Sequence, residues 1–243
     1  MIDPPGRAIG LVLSCEHASW ALPPGEHLGL GEDVLRSQAS WDPGAFEIAA
    51  RLGDAADLAV HAGAFSRMWV DLNRPPEHPD VIPRISYGAL VPGNDDLSDA
   101  ERARRLDAFH RPYWDAVRRD VQARLLDHGR CLLLSSHSFD PALDPERRTF
   151  DIGVLYDPAR GFEAELAERL IFGLARANLS VRANQPYRGT GPGITTSLRD
   201  ELPADRYAGI QLETSFAVST RPGGCARIAS ALIPVVEELR DRA

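Results

Sequence analysis

Short apolar runs alternate with longer helical patterns along this chain of 243 residues. Seven of the runs are rich in strand-forming residues and are bounded by turn residues, which predicts β-strands. They cover residues 8–15, 57–63, 67–72, 130–136, 151–157, the beginning of 180–193, and 209–214. Strands that alternate with helices are typical of an α/β fold with a parallel or mixed sheet.

Capping residues mark where two of the predicted elements begin. Asp42 is a good N-cap and Pro43 suits the first helical turn, so a helix is predicted to begin there. Its apolar stripe would comprise Phe46, Ile48, Ala49 and Leu52. The stretch 75–93 is rich in Pro and Gly and has no periodicity, which predicts a long surface loop, and such loops are often functional lids.

A second helix signal is a capping box, in which Ser98 is followed three residues later by Glu101. It predicts a long helix that ends near Gly129. Two further helical patterns cover residues 162–177 and 223–242. We therefore expect a single α/β domain over residues 1–243, with a mixed, mostly parallel sheet flanked by helices.

Composition narrows the range of functions. The net charge of −8 argues against a general binder of nucleic acids or anionic membranes. The three cysteines, Cys15, Cys131 and Cys225, are odd in number and lack a CxxC spacing, which argues against a disulfide framework or a cysteine zinc site. No signal peptide or membrane-spanning run is evident, so a cytoplasmic location is expected.

Polar groups gather where several predicted strands end. Glu16 and His17 follow the first strand, the run 71–74 follows the third, and His137 and Glu213 lie at the ends of two others. Ligands of open α/β sheets bind beyond the carboxyl ends of the strands, so these groups are predicted to share one cleft.

His17 and His137 are the candidate metal ligands, because imidazole and carboxylate groups with an open position compose catalytic zinc sites. The third ligand is predicted to be Glu16, with Asp42 as the alternative, since Asp42 also makes sense as a helix cap. The other five histidines lie in loops or helical patterns, where a structural role is expected. They are His27, His61, His78, His110 and His128.

The segment SRMWVDLNRP carries the candidate substrate-binding groups. Asn73 and Arg74 can bind a carboxylate, and Arg67 can add positive charge near the scissile carbonyl. Asp71 would orient an arginine, although a surface salt-bridge cluster is the alternative. In the Gly-rich loop of residues 184–193, Tyr187 or Arg188 is expected to contact ligand.

Two acidic or nucleophilic groups have competing interpretations. Glu213 is either a general base beside a metal-bound water or an ordinary residue at a strand end. Cys15 could suggest a thiol-dependent hydrolase, but it lies within an apolar strand and is expected to be buried and inert. A carboxylate-binding protein that lacks both metal and catalysis is a further alternative.

These segments resemble the N-formylglutamate amidohydrolase family. The matching pieces are LVLSCEHAS, SWDPGAFEIAARL, SRMWVDLNRP, SSHSFDP, FDIGVLYD and NQPYRGTGPG, which cover most of the chain. The family is similar to zinc carboxypeptidases and aspartoacylases. This kinship implies a phosphorylase/hydrolase-like (zinc exopeptidase-like) fold and an order of parts that reads Glu16-His17, Asn73-Arg74, His137 and Glu213.

The resemblance implies a metal-dependent amidohydrolase with a divalent cation, most simply Zn²⁺. Its substrate would be an N-formyl- or N-acyl-amino acid, cleaved to a small acid and a free amino acid. Two departures matter. The relatives use His-x-x-Glu for the first two ligands, whereas Trp20 follows His17 at that spacing. The chain also has CEHA where the best-defined N-formylglutamate enzymes have PHSG, so its substrate need not be N-formylglutamate.

Overall fold

The computed structural model describes residues 8–144, 146 and 148–241. Its main sheet has six strands, in the spatial order β2-β1-β5-β8-β6-β7. A separate hairpin is formed by β3 and β4. The strands are β1 (Gly10–Cys15), β2 (Val60–Ala62), β3 (Ile85–Ser86), β4 (Ala89–Leu90), β5 (Cys131–Phe139), β6 (Ile152–Leu155), β7 (Val181–Ala183) and β8 (Tyr207–Ser215).

The sheet is mixed but mostly parallel, as predicted. Strands β2, β1, β5 and β8 run in the same direction, whereas β6 pairs antiparallel with β8 and then parallel with β7. The long pairing of β5 with β8 places His137 opposite Glu213. The carboxyl ends of β1, β5 and β8 therefore meet at the same edge of the sheet.

Helices cover both faces of the sheet. They are α1 (Glu32–Leu35), α2 (Ala45–Ala56), α3 (Asp99–Arg105), α4 (Arg111–His128), α5 (Gly161–Arg176), α6 (Ile194–Glu201), α7 (Phe216–Ser219) and α8 (Gly224–Asp241). A π-helical turn, Leu106–His110, joins α3 to α4. Short 3₁₀ turns lie at Pro79–Val81, Pro92–Asn94 and Pro141–Leu143.

Alternating strand residues build two cores. Leu11 and Leu13 of β1 face the core that is completed by α2, α5 and α8, whereas Val12 faces the core completed by α4 and α6. This is the period of two that a strand buried on both faces requires. The result is a single-domain arrangement of three layers, with helices on each side of the sheet.

The prediction of a strand over residues 67–72 is wrong, because these residues form turns. Met68, Trp69 and Val70 are nevertheless buried, in a third apolar cluster that lies among the loops. The amide of Trp69 bonds to the carbonyl of Ser66, so the backbone pairs locally rather than with the sheet. A short buried apolar run suits a strand and a packed loop equally.

The stretch 75–93 is more ordered than a long surface loop. It contains the 3₁₀ turn Pro79–Val81 and the β3–β4 hairpin. Val81, Ile82 and Val91 are buried in the third apolar cluster. The tip of the hairpin is Tyr87–Gly88, and both residues have positive φ. This hairpin brings Tyr87 to the cleft described below.

Two details predicted for the helix at Asp42 are also wrong. Helix α2 begins at Ala45 with Gly44 as its N-cap, and the side chain of Asp42 does not cap it. Phe46 is 42% exposed and so does not join the buried stripe. Gly44 can serve there because its φ is +83°, a conformation that glycine adopts without strain.

The other predicted helices agree with the structure. Ser98 caps α3 by accepting a hydrogen bond from the Glu101 amide, and Gly129 ends α4 with φ of +81°. Helix α6 had no counterpart in the sequence prediction. Within the described residues, no helix combines the length and the apolar character that crossing a membrane requires.

Candidate active site

A cleft with a cavity volume of about 190 Å³ opens at the carboxyl ends of β1, β5 and β8. Most of its lining is polar or charged. The residues that line it are His17, Asp42, Arg67, Asn73, Arg74, Tyr87, His137, Ser138, Leu155, Tyr187, Arg188, Gly191, Pro192, Gln211 and Glu213. Eight of the ten predicted site residues, counting the alternative Asp42, are among them; Glu16 and Asp71 lie behind the lining.

Two imidazoles from distant parts of the chain converge on one carboxylate. The ring centroids of His17 and His137 are 5.0 Å apart. Asp42 Oδ2 lies 3.3 Å from Nδ1 of His17 and 2.9 Å from Nδ1 of His137. One donor atom from each of these three buried residues lies within 4.8 Å of the other two.

The opposite nitrogen of each imidazole contacts a second carboxylate. Asp71 Oδ1 lies 2.7 Å from Nε2 of His17, and Glu16 Oε2 lies 3.0 Å from Nε2 of His137. Metal-binding histidines commonly direct their second ring nitrogen to a carboxylate, which holds the ring in orientation. With both Nε2 atoms engaged in this way, the Nδ1 atoms of His17 and His137 both face Asp42 Oδ2.

This donor set suits the divalent cation that the resemblance implies. Two imidazole nitrogens and one carboxylate oxygen are the three protein ligands found in many catalytic zinc sites, with further positions open to water or substrate. His17, Asp42 and His137 are the residues that could hold such an ion. The cleft provides the open side, because all three line it.

The geometry favours Asp42 over Glu16 as the third ligand. Glu16 lies on the Nε2 side of His137, where it also accepts hydrogen bonds from Ser135 and Tyr113. Asp42 reaches the cluster because its amide donates to the carbonyl of His17, 2.9 Å away, which ties the two loops together. The side chain that was predicted to cap a helix thus faces the site.

Burial and close pairing dominate the electrostatics of this cluster. Burial alone would lower the pKa of His137, but its contacts with Asp42 and Glu16 outweigh that effect and raise the pKa to about 10. Burial opposes ionisation of Asp42, yet Arg67 and His17 hold its pKa well below the usual value. The carboxylates therefore favour positive charge between the two imidazoles.

Glu213 differs from the other acidic residues of the site. Its Oε2 is buried and has no hydrogen-bond partner among the described residues. Burial raises the pKa of this carboxyl to about 8, with the Asp42 charge adding to the effect while His137 and Arg67 oppose it. Gln211 lines the same cleft from two residues earlier on β8, as the alternation of a strand requires.

The segment 67–74 supplies three cleft residues from a turn rather than from a strand. Arg67 forms a buried ion pair with Asp42, and its Nε has no partner among the described residues. Arg74 Nη1 donates to the carbonyls of Asn73 and Pro192, at 3.0 Å in each case. Asp71 contacts His17 Nε2 rather than hydrogen-bonding to an arginine.

The Gly-rich loop forms another part of the cleft wall and meets this segment where Arg74 donates to the carbonyl of Pro192. Tyr187 and Arg188 both line the cleft, and Tyr187 lies with its hydroxyl 3.3 Å from that of Tyr87. Sequence reasoning missed Tyr87, Ser138 and Gln211. Ser138 follows the predicted His137 directly, and Gln211 lies two residues before the predicted Glu213 on the same strand, whereas only the fold brings Tyr87 to the cleft.

Cys15 has the character expected of a structural residue. It is fully buried in β1, and burial raises the pKa of its thiol well above the usual value. A thiol in this state is a poor nucleophile, because thiolate is the reactive form. It is also absent from the lining of the cleft.

Comparison with known proteins identifies relatives over nearly the whole chain. The model of the N-formylglutamate amidohydrolase family matches residues 9–218. A solved gene product of Agrobacterium tumefaciens is 34% identical with a TM-score of 0.83, over 96% of this chain and 91% of that one. An N-formylglutamate amidohydrolase from Ralstonia eutropha is 21% identical with a TM-score of 0.72, over 97% and 95%, and shares the fold. No curated protein matches the sequence significantly.

Proposed function

The chain belongs to the N-formylglutamate amidohydrolase family, and from that premise we propose that it is a metal-dependent enzyme. Its reaction would hydrolyse the amide bond of an N-formyl- or other N-acyl-amino acid. The products are a small acid, such as formate, and the free amino acid. The observation that carries the proposal is the convergence of His17, Asp42 and His137 in one cleft with Glu213, whose Oε2 has no hydrogen-bond partner among the described residues.

The size and charge of the cleft support a small anionic substrate. A volume of about 190 Å³ is below the range typical of sites for drug-sized ligands, which begins at about 300 Å³. Arg67, Arg74 and Arg188 line it. Guanidinium groups bind carboxylates through two parallel hydrogen bonds, so an amino acid carboxylate is a good match.

His17, Asp42 and His137 would hold the cation, which supplies Lewis acidity and lowers the pKa of a bound water. Glu213 accepts a proton from the attacking water and delivers it to the departing amine nitrogen as the carbon–nitrogen bond breaks. Arg67 donates to the acyl oxygen, where negative charge develops, from its Nε, which has no partner in the described part of the chain.

Asn73 and Arg74 bind the carboxylate of the substrate and so hold its amide bond against the cation site. Asp71 and Glu16 do not contact the substrate in this proposal. Asp71 holds the ring of His17 in orientation, and Glu16 holds the ring of His137. Tyr187 lines the cleft from the Gly-rich loop and would contact the substrate there. Each proposed role thus belongs to a side chain that contacts either the cleft or a ligand of the cation.

The direct test is a substrate and metal screen. The purified protein is stripped of metal and then assayed with Zn²⁺, Co²⁺ or Mn²⁺ on N-formyl and N-acetyl amino acids, with release of the free amine as the signal. We expect activity that requires a divalent cation. Carboxylate binding without metal binding or turnover would instead identify a non-catalytic member of the fold.

The metal ligands are tested by His137→Ala. We expect at least a hundredfold weaker metal binding by competition with a chromogenic chelator, with an unchanged circular dichroism spectrum. His128→Ala, at the far end of α4, is the matched control. A His137→Ala protein that retains a full complement of metal would contradict the proposed site.

The carboxylate clamp is tested by Arg74→Ala. We expect KM to rise at least tenfold, because a charged hydrogen-bonding partner of the substrate is lost. Arg182→Ala, a change at an exposed arginine of β7, should leave KM unchanged. An unaltered KM in Arg74→Ala would show that the carboxylate binds elsewhere.

A further inference from the structure

Two aromatic side chains, one at the end of the π-helical turn and one in the first turn of α4, hold the backbone on either side of Asn73. Trp114 Nε1 donates to the carbonyl of Leu72 at 2.8 Å, and His110 Nε2 donates to the carbonyl of Arg74 at 2.8 Å. His110 and Trp114 are 1% and 6% exposed. Buried hydrogen bonds of this kind constrain the chain strongly, because breaking one leaves a buried polar group without a partner.

The two side chains form one rigid unit. They are four residues apart, one helical turn, and their rings stack with centroids 4.8 Å apart and an interplanar angle of 28°. His110 is the last residue of the π-helical turn that precedes α4. Such turns are rare and are often found at functional sites.

The state of His110 agrees with a donor role. Its Nε2 carries the proton in the bond to Arg74, and its Nδ1 is buried without a partner among the described residues. Burial lowers the pKa of this imidazole, although the bond to the Arg74 carbonyl opposes the shift. A neutral ring with one N–H suits a single backbone acceptor.

The segment between the two anchors faces the cleft. Its beginning is held by other bonds, since the amide of Asp71 donates to the carbonyl of Val81 at 2.7 Å and the amide of Asn73 donates to Asp71 Oδ1 at 2.8 Å. The side chain of Asn73 is held less closely. Asn73 Nδ2 lies 3.4 Å from His137 Nε2, and the amide of Ile194 donates to Asn73 Oδ1 at 3.4 Å. These contacts are long for hydrogen bonds. The two carbonyls that flank Asn73 are held more closely, because each accepts one short bond, from Trp114 or from His110.

We infer that His110 and Trp114 are positioning residues for substrate binding: together they hold the turn that presents Asn73 and Arg74 to the cleft. The inference rests on the proposed function for its catalytic consequence. Its structural part, the anchoring of the turn, is independent of any reaction. Neither side chain lines the cleft, so neither is a catalytic residue.

Anchoring is tested by hydrogen exchange of the amides at residues 71–74, in the protein with its metal. Trp114→Phe keeps an aromatic ring, although a smaller one, and removes the N–H donor, and His110→Ala removes both the ring and the donor. We expect exchange of these amides to quicken about tenfold in both variants. His110→Gln, whose amide can place a donor near the original Nε2, should restore slow exchange. Unchanged exchange in both Trp114→Phe and His110→Ala would overturn the inference.

The functional consequence is tested on whichever N-acyl amino acid the enzyme hydrolyses. We expect His110→Ala and Trp114→Phe to raise KM about tenfold with a much smaller change in kcat, and His110→Gln to recover most of the loss. His128→Gln is the matched control on the same helix. A fall in kcat with KM preserved, or no rescue by His110→Gln, would contradict a positioning role.

The two arms separate this inference from the proposed function. If the wild-type protein hydrolyses no N-acyl amino acid, the proposed function fails, yet the exchange measurement still decides whether the turn is anchored. If exchange quickens while KM stays constant, the turn is anchored but its position does not control substrate binding, and the inference is wrong.

Discussion

Three acidic side chains surround His137, and they differ in what their oxygens contact. Asp42 contacts both imidazoles and forms an ion pair with Arg67. The oxygens of Glu16 contact Nε2 of His137 and the hydroxyl groups of Ser135 and Tyr113. One oxygen of Glu213 has no partner among the described residues. A carboxyl group that is free to accept and release a proton suits acid–base chemistry, whereas a fully engaged one suits a structural or ligand role.

This contrast gives a prediction for Glu213→Gln. The amide keeps the shape of the side chain but cannot carry a proton from water to the leaving amine. We expect kcat to fall by about 10²- to 10⁴-fold, while metal content measured by mass spectrometry stays the same. Glu168→Gln, at an exposed position of α5, is the control. Retained activity in Glu213→Gln would exclude the proposed proton carrier.

At this scale, the sequence identified residue types better than residue partners. His17 and His137 stood out because both follow apolar strands, and the structure brings them together. The choice between Glu16 and Asp42 could not be made from the sequence, since it depends on which ring nitrogen each carboxylate faces. Asp42 also carried a misleading local signal, because Asp followed by Pro is common where helices begin.

At the scale of elements, predictions succeeded where a local signal is specific. The capping box at Ser98 and the glycine at 129 mark the ends of the long helical region in both sequence and structure. The prediction of a strand over residues 67–72 failed because loops, instead of neighbouring strands, bury its apolar run. Tertiary packing decides whether such a run becomes a strand or a packed loop. A pattern of six residues carries no information about that packing.

The capping box also gives a prediction about pH. Hydrogen bonds from Arg104 and Arg105 lower the pKa of Glu101 to about 2. A carboxyl whose pKa is depressed by folding stabilises the protein above its unfolded pKa, near 4.5, and this contribution disappears as the pH falls towards 2. The Glu101 side chain is partly exposed, so we expect a modest effect, about 0.2–1 kcal/mol per ion pair.

Glu101→Gln should therefore reduce the urea midpoint at pH 7, and this effect should shrink as the pH falls below about 4.5 and become small at pH 2. Comparison of wild-type and variant midpoints across this range measures the difference, and added salt should shrink it. Glu168→Gln provides the control for loss of an exposed carboxylate in a helix. A variant that loses the same stability at pH 2 as at pH 7 would show that charge is not the cause.

At the scale of the whole molecule, the polar cleft and the apolar cores occupy separate regions. Two core clusters fill the spaces between the sheet and its helices, and a third fills the loops around residues 66–82. The cleft lies at the carboxyl edge of the sheet, where His17 follows β1 and where His137 and Ser138 follow the apolar run Cys131–Leu134 of β5. Sequence patterning predicted this division, because the strands are apolar along their length and polar where they end.

The separation of the polar cleft from the apolar cores predicts how the protein responds to loss of metal. The cores do not depend on the cation, so the chelated protein should keep its circular dichroism spectrum at 25 °C. Binding of a cation to the folded state alone adds about 4 kcal/mol when its free concentration is a thousand times Kd, which raises Tm by roughly 10 °C in a chain of this length. Differential scanning calorimetry with and without chelator measures the shift. His137→Ala should show no such shift, and a chelated wild-type protein that unfolds at 25 °C would mean that the site, rather than the cores, holds the fold together.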